Sequence, residues 1–155
     1  MARRSTGRVV LLSIHPRFAD AILRGDKRVE LRRKPVSPDV THVVLYATAP
    51  VKAIVGSFEV KSIEEGSKSS IWNVHGTASG VTRREYSDYF KGASRAVAIR
   101  ISKPARLEKP VPINSISGVS RPPQSFQYVD SQDLDWLISS STREFDGPLS
   151  DQIAV

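Results

Sequence analysis

The segment Gly25 to Arg33 (GDKRVELRR) places an ammonium, a carboxylate and a guanidinium, those of Lys27, Glu30 and Arg32, within six positions. From Arg28 onward, apolar Val29 and Leu31 alternate with polar Arg28, Glu30 and Arg32, the period-2 pattern of a strand with one buried face. Glu30 and Arg32 then project to one side, roughly 6–7 Å apart. Such a trio suits a polar, planar ligand such as a nucleobase. Lys27 can neutralise a phosphate or grip a base carbonyl oxygen, and desolvation would make it a base. Glu30 can accept from an exocyclic amine, as carboxylates do with cytosine N4, or position a water for hydrolysis. Each residue also has a structural reading: Lys27 as an exposed turn lysine, Glu30 and Arg32 as ion-paired groups closing a sheet rim.

Other candidates cluster by the elements expected around this strand. Val9 to Ile14 is a hydrophobic strand, and His15-Pro16 opens a helix that runs to Arg24 and stops at Gly25. Ser13 and His15 flank that junction and face the trio; His15 is a proton shuttle or a cap. Tyr46 and Trp72 can stack on a base or pack in the core. Thr48 offers a hydroxyl at the end of the Tyr46 strand. Gln124 and Ser125, in the rigid Pro122-Pro123 loop, can read a ligand edge or simply hold the loop. Arg17, Arg24, Arg28, Arg33 and Lys34 supply charge for phosphates. His42 and His75 are scattered, so no metal or other cofactor is expected.

Strands are expected over His42–Ala47, Ala53–Ile63 and Arg95–Ile101, with Pro104, Pro110 and Pro112 breaking the stretch after Ile101 into edge or loop pieces. Gly56 marks a bulge or a close backbone approach. Thr82 to Glu85 is a capping box that starts a helix through Tyr86, Tyr89 and Phe90. Residues 71–74 form a helical turn, and Asp130–Ser139 a C-terminal helix. Five or six short strands among short helices predict an α+β fold, a small mixed β-barrel flanked by helices. The organisation expected is a basic arm over 1–8, one domain over 9–139 and a flexible acidic tail over 140–155.

Composition narrows the partners. The chain has 155 residues, no cysteine and a net charge of +7. Residues 1–35 hold 10 Lys and Arg against 3 Asp and Glu, whereas residues 130–155 hold 1 against 6. A basic head favours a polyanion, nucleic acid first. Lack of disulfides suits the cytoplasm. No apolar run approaches the ~18 residues of a membrane span, and Val9–Leu12 is too short for a signal h-region. Glycine-rich phosphate loops, G-x-S-x-G elbows and H-E-x-x-H motifs are all missing.

Gly25, Lys27, Glu30 and Arg32 match the G-x-K-x-x-E-x-R element of the ASCH domain, a branch of the PUA-like superfamily of small β-barrels. LLSIHPRFADAIL before it, Tyr46-Ala47-Thr48-Ala49-Pro50 leading into AIVGSFEV, YFKGASRAVAIRI and RPPQSFQY are also similar to ASCH segments, so the resemblance covers residues 9 to 138. It implies a PUA-like barrel with a cleft beside the motif strand and a role around RNA, modified nucleosides, or control of transcription and translation. One branch deacylates N4-acetylcytidine with a lysine matching Lys27, a threonine matching Glu30 and a distant glutamate. This chain keeps the lysine but carries Glu30 for the threonine, so a threonine nucleophile does not carry over. Two readings stay open: an RNA- or modified-nucleoside-binding module, and a metal-independent hydrolase of N4-acylated cytidine or of RNA (a ribonuclease), with Lys27 and Glu30 catalytic. A third has the basic face docking an acidic protein partner.

Overall fold

The structure, a computed structural model, describes residues 6–141. The expected basic arm up to residue 5 and the acidic tail from residue 142 lie outside the described residues.

Six strands form one mixed sheet. They are β1 (Arg8–Ile14), β2 (Val29–Arg32), β3 (Val40–Ala47), β4 (Ala53–Ser67), β5 (Arg95–Val111) and β6 (Phe126–Val129), in the spatial order β2-β5-β4-β3-β1-β6. Only the β1–β3 pair is parallel. Four helices accompany it: α1 (Pro16–Arg24), α2 (Lys68–His75), α3 (Arg83–Tyr89) and α4 (Ser131–Ser139). The fold is α+β, as the sequence predicts. No ladder joins edge strands β2 and β6 among the described residues, so the expected barrel has an open seam. A side-chain bond spans it: Arg32 at the end of β2 donates from Nη2 to Oγ of Ser125, the residue before β6, at 2.5 Å.

The alternation of β1 and β3 sorts side chains to the two sheet faces. Val10, Leu12, Ile14, Val43, Leu45 and Ala47 pack with Ala19 and Ile22 of α1. Val9, Leu11, Val44 and Tyr46 turn the other way, under Leu134 and Leu137 of α4. A third cluster sets Val29 and Leu31 of β2 against Ile71 of α2 and against Tyr86 and Phe90 at α3.

Two expectations need correcting. First, β2 has no exposed polar face, because all four of its residues are buried. Its apolar side is covered by α2 and α3, and Glu30 and Arg32 lie on the opposite side of the strand, at the seam. Second, β5 runs on to Val111, through Pro104 and Pro110. β2 leaves its flank at Arg100, and an isolated bridge from Leu107 to Ser141 is what pairs β5 beyond its β4 ladder there, so a proline in this stretch can spare its missing N–H. One strand lies outside those expected: the segment after Ser125 is β6, antiparallel to β1 from Leu12↔Phe126 to Val9↔Val129. Gly56 sits at a register shift between β4 and β5, and a Cβ there would lie 2.5 Å from Ala105 O.

Candidate functional site

The end of β1, the start of α1, β2 and α3 surround a cleft of about 280 Å³ at the seam. Its position follows from local sequence. His15 caps α1, its Nδ1 accepting from the Arg17 N–H at 3.2 Å, with Pro16 in the first turn. Gly25 ends the helix at φ 87°, a left-handed conformation that glycine adopts without strain. The chain folds back so sharply that the Lys27 N–H bonds to Ala21 O at 3.0 Å. That return delivers Lys27 to the cleft floor.

Lys27 is only 2% exposed, Glu30 5% and Arg32 9%. Lys27 Nζ donates to Ser79 O at 2.5 Å and lies 3.3 Å from Glu30 Oε1. Arg32 Nη1 donates to Glu30 Oε2 at 3.1 Å. One carboxylate therefore sits between two cations, with a net charge of +1 in a largely dry place. The Lys27 ammonium also lies 5.1 Å from the centre of the Phe18 ring. Nearby, Ser13 Oγ donates to Pro123 O at 2.6 Å and the Ser13 N–H to Ser125 O at 3.0 Å, which ties the loop before β6 to the end of β1.

The walls are aromatic. Phe18 comes from α1, and Tyr86, Tyr89 and Phe90 from one face of α3 and its C-terminal cap. Tyr89 is 43% exposed at the lip. Partial burial raises its phenol above the ordinary value; Arg32 opposes that shift and Glu30 adds to it. At the mouth, Arg17 Nη2 meets Glu85 Oε2 at 2.5 Å, linking α1 to α3. Glu85 also takes the Thr82 N–H at 2.8 Å in the capping box, and these two partners, Thr82 first, lower its pKa. No group of three His, Asp or Glu side chains is placed to hold a metal among the described residues.

Five of the residues singled out from sequence line the cleft: Ser13, His15, Lys27, Glu30 and Arg32. Tyr46, Thr48 and Trp72 do not. Tyr46 is one residue out of phase with Leu45 and Ala47, so it enters the opposite sheet face. Thr48 lies in the β3–β4 turn, its N–H bound to Ile14 O at 2.9 Å. Trp72 backs the wall from behind, 4.8 Å from the Tyr86 ring, with Arg83 over its own face. Among the cations, Arg24 pairs with Asp26, and Arg33 Nη1 donates to the carbonyls of Tyr89 and Lys91, fixing the end of α3; Arg28 is exposed. Sequence reasoning missed Phe18, Glu85, Tyr86, Tyr89 and Phe90 as cleft residues. The i, i+3, i+4 spacing of Tyr86, Tyr89 and Phe90 was the available signal, since it puts three rings on one helix face.

Comparison with known proteins agrees with this architecture. The ASCH domain model matches residues 12–105. An ASCH domain-containing ribonuclease of Zymomonas mobilis is 30% identical over 136 residues, covering 86% of this chain and 92% of that protein. The crystal structure of ASCH from Zymomonas mobilis superposes with a TM-score of 0.74 at 28% identity, over 87% of this chain and 96% of that one. The large ribosomal subunit protein uL22 of Ureaplasma parvum is 28% identical over 125 residues, 80% of this chain but 40% of that protein. With the family match extending over most of the described sheet, the chain belongs to the ASCH domain family.

Proposed function

We propose that this protein binds single-stranded RNA in the cytoplasm and takes one unstacked nucleotide into the seam cleft. The observation that carries the reading is the pairing of a cationic floor, Lys27 and Arg32 about Glu30, with walls of aromatic rings. Rings hold a base by stacking on its π-face, and a buried cation supplies hydrogen bonds strengthened by the low local dielectric. The volume suits one nucleoside-sized ligand and is too small for a duplex. Arg28 and Lys34, exposed beside β2, are placed to meet flanking phosphates. In a filter-binding assay, single-stranded RNA is retained at low salt and released as salt rises. Failure to retain any RNA at low salt removes the reading.

A second reading, cleavage of the bound RNA, is favoured by the Zymomonas mobilis relative, which is described as a ribonuclease and is aligned over 92% of its length. In that case the 2′-oxygen attacks phosphorus, the bond from phosphorus to the 5′-oxygen breaks, and the proton leaves the 2′-hydroxyl and reaches the 5′-oxygen. Lys27 and Arg32 stabilise the added charge on the phosphoryl oxygens. The products carry 2′,3′-cyclic phosphate and 5′-hydroxyl ends. Incubation of labelled RNA with the wild-type protein and with Lys27→Ala decides it: cleavage present in the first and lost in the second supports catalysis, and intact RNA in both leaves binding alone.

A further inference from the structure

Resting on the RNA-binding reading, we infer that the cleft mouth is a subsite for a backbone phosphate, built on Arg17 and masked in the free protein by Glu85. The cleft is cationic at its floor, yet the Glu85 carboxylate lines its mouth. The Thr82 N–H first, and then the Arg17 side chain, hold that carboxyl below the ordinary glutamate pKa, so it is ionised at neutral pH. A negative charge at the entrance repels a polyanion. Capping of α3 does not require that charge, because a glutamine at the same position closes a capping box equally well. What the charge adds is its hold on Arg17.

Arg17 stands where a strand entering the cleft would pass. It is the second residue of α1, and its guanidinium carbon lies 4.4 Å from the centre of the Phe18 ring, which lines the cleft. From there Nη2 reaches Glu85 Oε2 at 2.5 Å, so the pair crosses the mouth from α1 to α3. The two side chains are 58% and 38% exposed, and an ion pair this wet is weak and open to exchange. A phosphate offers the guanidinium the same kind of charged oxygen pair as a carboxylate does. Arg17 keeps further N–H groups in the free protein; what Glu85 cancels is its charge. When the phosphate takes over as partner, Glu85 is left to draw a cation from solution. The exchange therefore adds little to the salt dependence of the wild-type protein, and removal of Glu85 uncovers it.

Fluorescence anisotropy with a labelled, mixed-sequence RNA octamer tests this on the wild-type protein, Glu85→Gln, Arg17→Ala and the double variant. Glutamine keeps the capping box, so α3 stays in place while the charge goes. Glu85→Gln is expected to bind about three- to five-fold more tightly at low salt, the scale of an exposed ion pair. Its log affinity should fall more steeply with log salt by about 0.7, the mark of one more phosphate neutralised. In the Arg17→Ala background the same substitution should change affinity much less, because the cycle separates the pair from the overall change in charge. Equal gains in the two backgrounds make Glu85 a repelling charge and not a mask, which overturns the inference while RNA binding stands. Unchanged or weaker binding by Glu85→Gln makes the pair a structural tie between α1 and α3 and overturns it too. A gain without a steeper salt dependence puts the contact away from phosphate, with the same result. No binding by any of the four proteins removes the RNA reading and this inference together.

Discussion

At the scale of single residues, the cost of the cleft floor is concentrated in Lys27, Glu30 and Arg32. A buried ion pair gives little net stability, because desolvating each charge offsets most of the attraction, but removing one partner strands the other. Lys27→Met keeps the length and the apolar stem while leaving Glu30 with Arg32 alone. We expect it to lower unfolding free energy by about 3–5 kcal/mol in a urea titration; a loss within a few tenths would mean that Glu30 is solvated and the floor is not dry. Tyr89 has the opposite balance. The residue is 43% exposed at the lip, so Tyr89→Ala is mild for stability and severe for ligand. A lost base–aromatic stack weakens RNA binding by about 1–3 kcal/mol, whereas Tyr89→Phe retains the π-face and most of the affinity. If phenylalanine and alanine weaken binding equally, the hydroxyl rather than the ring makes the contact.

At the scale of elements, the cleft exists because α1 ends abruptly and α3 is anchored at both ends. Gly25 at φ 87° has open space where a Cβ would be, so Gly25→Ala meets no clash, only the strain of a left-handed L-residue. That costs about 1–2 kcal/mol, read from the shift in urea midpoint. At the start of α3, Glu85 closes the capping box and bridges to Arg17, and its folded pKa lies below the ordinary glutamate value. A depressed carboxylate contributes stability above its unfolded pKa and loses it as pH falls through the folded value. Stability therefore drops below about pH 4.5, and Glu85→Gln, which keeps a capping side chain, flattens that acid limb. Asp39, lowered by Ser37 and Arg8, contributes a second part of the slope that this variant leaves in place. Much at this scale was legible beforehand: α1 from His15-Pro16 to Gly25, α3 from Thr82 and Glu85, the close approach at Gly56. Each of these is a local rule acting within a few residues. What was hidden depends on neighbours distant in sequence. Glu30 and Arg32 alternate as an exposed face would, yet Lys27 closes on Glu30 and the loop holding Ser125, 93 residues beyond Arg32, meets the guanidinium. Tyr46 carries a stacking side chain, but only the register of β1 on β3 decides which sheet face receives it. The prolines of β5 read as breakers because the sequence does not tell which of its flanks is paired.

At the scale of the whole molecule, the proposed RNA complex would use charge and cleft on different parts of the ligand. A net charge of +7 would draw the strand from a distance, yet several cations are already engaged: Arg8 with Asp39, Arg24 with Asp26 and Arg95 with Glu65. Arg28, Lys34, Arg84 and Lys91 are exposed and have no ion-pair partner among the described residues. These are the groups free to exchange counterions for phosphates. Each phosphate neutralised on a single strand steepens the fall of log affinity with log salt by about 0.7. Measured from low to moderate salt, Arg28→Ala and Arg84→Ala should each reduce the slope by about that amount, and Arg24→Ala, whose charge Asp26 already balances, by much less. Phosphate contacts carry no base information, so each variant should lower affinity by the same factor for RNA of every sequence. A slope near zero in the wild type would rule out phosphate contacts, and a loss of affinity that depended on RNA sequence would show that these side chains touch bases rather than phosphates.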